Sequence, residues 1–221
     1  NPQITIAYAE DNTENLVKII KSCNRILIFI MSIPIAFLTA YGRDFYAMWQ
    51  PTKDADMLQR LSLLAVGVLY VSMSIQVLYH VFIITKKVKW NSLVILGSGV
   101  LSSCLSLLLL KTTDLGVMVF PLSSMLTGLL RNLIFTPIYA ARCLKIRWNR
   151  FYGDILLGWI SIGSIVILGN LSRMVFPVDS WIKLILTGVV MGLALNFLII
   201  LRKEEREMVI GMLKSRLKGA K

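Results

Sequence analysis

The chain has 221 residues, is 56% hydrophobic and only 16% charged, and has a mean hydropathy of +0.71. That is more apolar surface than one soluble core hides; a bilayer, itself an apolar solvent, accepts it, and the length allows about six spans of about 20 residues. The net charge of +12 sits in short clusters between apolar runs, which argues against a soluble nucleic-acid domain and for membrane topology with anionic headgroups.

The chain starts at Asn1, and its first 24 residues mix polar and apolar types. Such a start is expected of the middle of a longer protein rather than of a signal peptide. Residues 11–25 place Leu16, Ile19, Ile20 and Cys23 on one helix face, which predicts an interfacial helix leading into the first span. That span runs from about Ile26 to Ala40 and contains Pro34. The loop after it carries Asp54 and Asp56, a DxD pattern that reads as a solvated loop.

The second span is expected from Leu61 to Ile84, the third from Leu93 to Leu110 and the fourth from Leu115 to Ala140. The fifth is expected from Ile155 to Leu171 and the sixth from Leu184 to Leu201. The expected fold is thus an all-α polytopic membrane helix bundle, about six transmembrane helices over residues 1–201. Residues 202–221 are expected to form a basic cytoplasmic tail. Within it Val209, Leu213 and Leu217 recur every four residues, as in an amphipathic helix resting on the leaflet.

With the amino end placed inside, 17 of the 24 Lys and Arg fall in cytoplasmic segments, six fall outside, and Arg131 lies within a span. The positive-inside rule then puts both ends of this segment in the cytoplasm. Trp49, Trp90, Trp148 and Trp181 fall near the expected interfaces, where amphipathic rings anchor helices.

The polar residues inside spans are the candidates for function. A central Arg costs about 2.5–3.5 kcal/mol on insertion scales. Arg131 is therefore either snorkelling or a cation facing a polar cavity. Ser124, Thr127 and Arg131 are three and four apart and share one face, with Ser123 and Asn132 flanking it. On the second span Ser72, Gln76 and His80 recur every four residues, with Tyr70 and Tyr79 nearby. Such stripes either bond helix to helix or line a water-filled path. His80, the single histidine, reads as a proton relay or, beside Lys86 and Lys87, as an interfacial side chain. The serines of the third span, Ser98, Ser102, Ser103 and Ser106, and Gly188 with Gly192 on the sixth read as packing positions.

The spans hold no Asp or Glu away from their edges, where Asp114 and Asp154 sit. A cation or proton antiporter ordinarily needs such an acid. One histidine without paired acids argues against a membrane enzyme. Cys23, Cys104 and Cys143 have neither zinc nor CxxC spacing, so no metal or other cofactor is expected.

Several stretches carry a family resemblance. NPQITIAYAEDNTENL followed by Ile33-Pro34-Ile35 resembles the middle of polysaccharide-biosynthesis flippases, in the multidrug/oligosaccharidyl-lipid/polysaccharide exporter superfamily. GRDFYAMWQP resembles an outer segment of these proteins. QVLYHVFIITKKVKWNSL resembles their paired helices joined by a short basic turn. RNLIFTPIYAARCLK resembles a further helix with an N-x-x-F-x-P-x-Y pattern, here Asn132, Phe135, Pro137 and Tyr139. The resemblance covers nearly the whole chain, as the carboxy-terminal half of a flippase.

The resemblance implies two helix bundles around a central cavity and alternating access. It implies a lipid-linked oligosaccharide as cargo and the amino-terminal half of the same transporter as partner, in the cytoplasmic membrane. Arg131 is then expected to meet the anionic diphosphate of a polyprenyl carrier. Asn132, Gln76, Tyr79, Tyr139, Thr127 and His80 complete the expected substrate contacts. A drug or cation antiporter of the same superfamily and a non-transporting membrane assembly subunit are the competing readings.

Overall fold

The computed structural model describes residues 2–9, 12–175, 180–202 and 206. Among them every regular element is helical, and five helices are long and apolar enough to cross a membrane. The chain is an all-helical, multi-pass membrane bundle. The expected tail helix over residues 203–219 lies outside the described residues, apart from Arg206.

Helix α1 is Pro2–Ala9, and α2 is the 37-residue helix Thr13–Trp49. The side chain of Asn12 caps α2 by accepting the amide of Asn15 at 3.0 Å, as an N-cap should. At 1.5 Å per residue α2 is about 55 Å long, well beyond a hydrocarbon core of about 30 Å. The expected interfacial helix and first span are therefore one continuous element. Pro34 lies inside it, and the segment expected as an outer loop extends it to Trp49. Pro51 stops it by forcing Gln50 out of helical geometry, to φ −133°.

The expected second span is not one helix. It is divided among α3 (Ala55–Val66), α4 (Leu69–Ser72) and α5 (Leu78–Ile84). For this reason five unbroken spans are found where about six were expected. Gly67 weakens the helix at the first break, and the Ser72 hydroxyl turns back to the carbonyl of Val68 at 3.1 Å. Beyond it the amides of Ser74, Ile75, Leu78, Tyr79 and His80 bond carbonyls three residues back. Ser72, Gln76 and His80 nevertheless all keep some exposure between buried neighbours, and Ser72 and Gln76 line one groove.

Helix α6 (Val88–Thr112) pairs with α7 (Val119–Leu130) through a 3-10 turn at Gly116–Met118. A π-helical turn, Arg131–Phe135, joins α7 to α8 (Thr136–Cys143). Helices α9 (Tyr152–Val175) and α10 (Trp181–Ile199) complete the bundle.

The long α2 is the axis of the fold, packed by α9, α10 and α3. Its buried side chains run through three apolar clusters in succession, around Leu16 and Ile20, Ile33 and Ala36, and Ala40 and Tyr41. Polar ties reinforce the second and third of these. Asn196 of α10 accepts the Ser161 hydroxyl at 2.6 Å and donates to the Phe29 carbonyl and the Ser32 hydroxyl at 2.8 and 2.7 Å. Near the other end, Arg173 of α9 pairs with Asp44 at 2.8 Å and donates to the Ala40 carbonyl. Gly188 and Gly192 lie against Phe37 and Ile33 of α2, the close approach that small residues permit between membrane helices.

The two basic turns share one geometry. Lys86 and Lys145 both have φ of 55°. Each follows a helix end whose carbonyls are closed by the next two amides: Lys86 to Ile83 and Lys87 to Phe82, then Lys145 to Arg142 and Ile146 to Ala141. These are Schellman ends, with lysine where glycine is usual.

Candidate functional site

The site begins with a proline. Pro137 has no amide hydrogen, so the helix cannot bond the Leu133 carbonyl four residues back. The Tyr152 hydroxyl, from the start of α9, donates to that carbonyl instead, at 2.7 Å. Immediately upstream the backbone widens, and the Thr136 amide bonds the carbonyl of Arg131, five residues back. Single π turns of this kind recur at functional sites in helices. This one starts at Arg131, just past the middle of the span Gly116–Cys143.

The widened turn presents Arg131 to α6. Its Nη1 donates to the Ser98 hydroxyl and its Nε to the Asn132 side-chain oxygen, both at 3.2 Å. The Tyr79 hydroxyl of α5 donates to the same Asn132 oxygen, also at 3.2 Å. Three elements thus meet at one polar knot. Its partners are all neutral: among the described residues Arg131 makes no ion pair. The full positive charge is oriented but not compensated.

A groove of about 430 Å³ opens in front of this charge between α6 and α7. Ser98, Ser102, Ser103, Ser124 and Thr127 line it with Arg131. Hydroxyl chemistry continues along a contiguous groove past Ser106. Ser102 and Ser124 face each other across the helix pair at 3.3 Å. The two buried side chains of α6 are Asn91 and Ser106, both polar, whereas Leu96, Val100, Leu107 and Leu108 are exposed. Helix α6 turns apolar groups outward, as a lipid-facing helix does.

Of the residues singled out by sequence, Arg131, Asn132 and Tyr79 meet directly, and Thr127 lines the same groove while its hydroxyl donates to Ser123. Gln76 is exposed in a separate groove between α2 and α4, with Ser72, Leu27 and Met31. His80 is exposed and outside both grooves. Tyr139 lies towards the basic turn, where its hydroxyl donates to the Lys87 carbonyl and its ring stacks on Phe135 at 5.0 Å.

Ser98 and Ser102, packing positions by their spacing in the sequence, line the groove instead. Their four-residue spacing with Ser106 was the available signal. Asp154, at a span edge as expected, is deeply buried and accepts the Asn24 side-chain amide at 3.2 Å. Lys21, Arg25 and Arg202 all act on it electrostatically.

No family model matches the chain, and no solved structure gives a significant match. A Bacillus subtilis (strain 168) protein named uncharacterized membrane protein EpsK is 25% identical over 219 residues, a match covering 95% of this chain and 42% of that protein. The chain spans less than half the length of this relative. The sequence is thus that of a multi-pass helical membrane protein, similar along nearly all its length to part of the larger EpsK.

Proposed function

We propose that the chain forms one bundle of a transporter that moves a lipid-linked oligosaccharide across the cytoplasmic membrane by alternating access. The observation that carries this reading is Arg131, a membrane-embedded cation held by neutral oxygens and facing a groove of hydroxyls. Such a group attracts a diphosphate strongly in a low-dielectric setting. The serines along α6 and α7, with Asn132 and Tyr79, offer both donors and acceptors to sugar hydroxyls. Translocation requires no bond to be made or broken, so the protein acts as a carrier and not as an enzyme.

The groove between α6 and α7 is open rather than enclosed. In this proposal a second bundle, from the part of a longer protein that the match with EpsK leaves uncovered, closes it into a cavity. The excess of Lys and Arg at one end orients that end to the cytoplasm. A cation antiporter is the weaker reading. Among the described residues the buried carboxylate is Asp154, on which three cations act, and an intramembrane acid in the second bundle would favour the antiporter.

Polymer export by cells carrying the full-length protein tests the role of Arg131. Arg131→Ala is expected to abolish export with normal amounts of protein in the membrane, and Arg131→Lys to retain part of it. Wild-type export by Arg131→Ala would remove Arg131 from the mechanism.

A further inference from the structure

A second basic site lies at the opposite end of the bundle from Trp49, away from the groove of Arg131. Lys18, Lys21 and Arg25 are three and four residues apart on α2 and share one face. The chain brings Arg150, from the turn before α9, and Arg202, just past α10, to the same place. Together they line a pocket of about 280 Å³. Among the described residues, Glu14 pairs with Lys18 at 3.6 Å on the exposed side, and Asp154 is buried and bonded by Asn24.

Two features go beyond an accumulation of charge. Arg25 has its Nε buried and without a hydrogen-bond partner. Leaving a buried donor on a cation unmade is costly, and a ligand oxygen would satisfy it. The pocket also continues into apolar surface. Ser22 lines it, and Ile26 and Ile30 follow on the same α2 face, each 55% exposed. On α10, Leu198 lies one turn before Arg202 and is 62% exposed. A cationic head site beside exposed apolar side chains of α2 and α10 matches an anionic phospholipid, phosphate in the pocket and acyl chains along the helices. A free phosphate would use the first part and leave the second unexplained.

We infer that the pocket between α2, the turn before α9 and the end of α10 binds the headgroup of an anionic membrane phospholipid. Basic pockets between membrane helices on the cytoplasmic side bind such headgroups elsewhere. The inference is independent of what the protein transports.

The test titrates detergent-purified protein with dioleoylphosphatidylglycerol, dioleoylphosphatidylcholine or inorganic phosphate and counts adducts by native mass spectrometry. One saturable phosphatidylglycerol adduct is expected, preferred over phosphatidylcholine. Arg25→Gln and Lys21→Gln are each expected to weaken it about fivefold, the factor one basic residue contributes near an anionic surface. Lys86→Gln removes the same charge from the other basic turn and is expected to leave it unchanged. Should Arg25→Gln fail to fold, Lys21→Gln decides alone. Equal binding of phosphatidylcholine, displacement of the lipid by equimolar phosphate, an equal loss in Lys86→Gln, or no loss in Lys21→Gln would each overturn the site.

Discussion

Pro137 has no amide hydrogen to give Leu133, and the Tyr152 hydroxyl takes the place of that hydrogen from another helix. In a bilayer this exchange matters, because no water is at hand to bond a stranded carbonyl. Tyr152→Phe keeps the ring and removes the donor. It is expected to destabilise the folded protein by about 1–3 kcal/mol, the cost of one unsatisfied buried group. Pro137→Ala restores a backbone donor, so the loss from Tyr152→Phe should shrink in the double variant. Reversible unfolding in mixed micelles of the four proteins measures the coupling. Additive losses would show that the two residues do not share the Leu133 carbonyl.

Helix pairing depends on a few contact positions. A Cβ added at Gly188 would lie 2.5 Å from Phe37 Cδ2. Phe37 has little freedom to retreat, since its ring packs on Tyr41 and Phe45 at 5.8 and 6.1 Å. Gly188→Ala is therefore expected to cost about 1–3 kcal/mol through overpacking. At Gly192 the nearest atoms are those of Ile33 at 3.1 Å, and Gly192→Ala should cost less. Gly97 on α6 has nothing within 4 Å, so Gly97→Ala should be neutral or stabilising by up to about 1 kcal/mol, the helix propensity of alanine over glycine. Unfolding midpoints in a denaturing-detergent titration rank the three. A loss at Gly97 matching that at Gly188 would contradict the packing described for α10 on α2.

Elements of this kind were legible in the sequence wherever an unbroken apolar run marks them, as at α6, α9 and α10. The small-residue spacing on α10 likewise named its contact face correctly. The second span was not legible, because α and 3-10 turns differ by a small change in backbone dihedrals that leaves mean hydropathy untouched. Ser72, Gln76 and His80 all keep some exposure between buried neighbours, but only Ser72 and Gln76 share a groove. Local spacing sufficed for Thr127 and Arg131, which share a helix. Ser98 is 33 residues away from Arg131, and only the pairing of α6 with α7 brings them together.

For the whole molecule, the arrangement of α6 and α7 assigns opposite environments to residues one helix width apart. Ser124 is exposed in the groove with Arg131, and Leu108 is exposed on the outer side of α6. A hydroxyl-lined groove holding an uncompensated cation must be wet when no cargo fills it, because dry burial of that charge would cost several kcal/mol. In the proposed arrangement the outer face of α6 meets acyl chains. In protein with Cys23, Cys104 and Cys143 replaced by Ala, a cysteine at position 124 is therefore expected to react with a water-soluble maleimide. One at position 108 should react at least tenfold more slowly, since thiolate forms only where water reaches it. Cysteines placed at Thr52 and Lys145 fix the orientation in the same cells. An impermeant maleimide should label position 52 in intact cells and position 145 only after permeabilisation. Silence at 124 together with labelling at 108 would reverse the two faces of α6, and Arg131 would then lie in a helix–helix contact and not in a transport path.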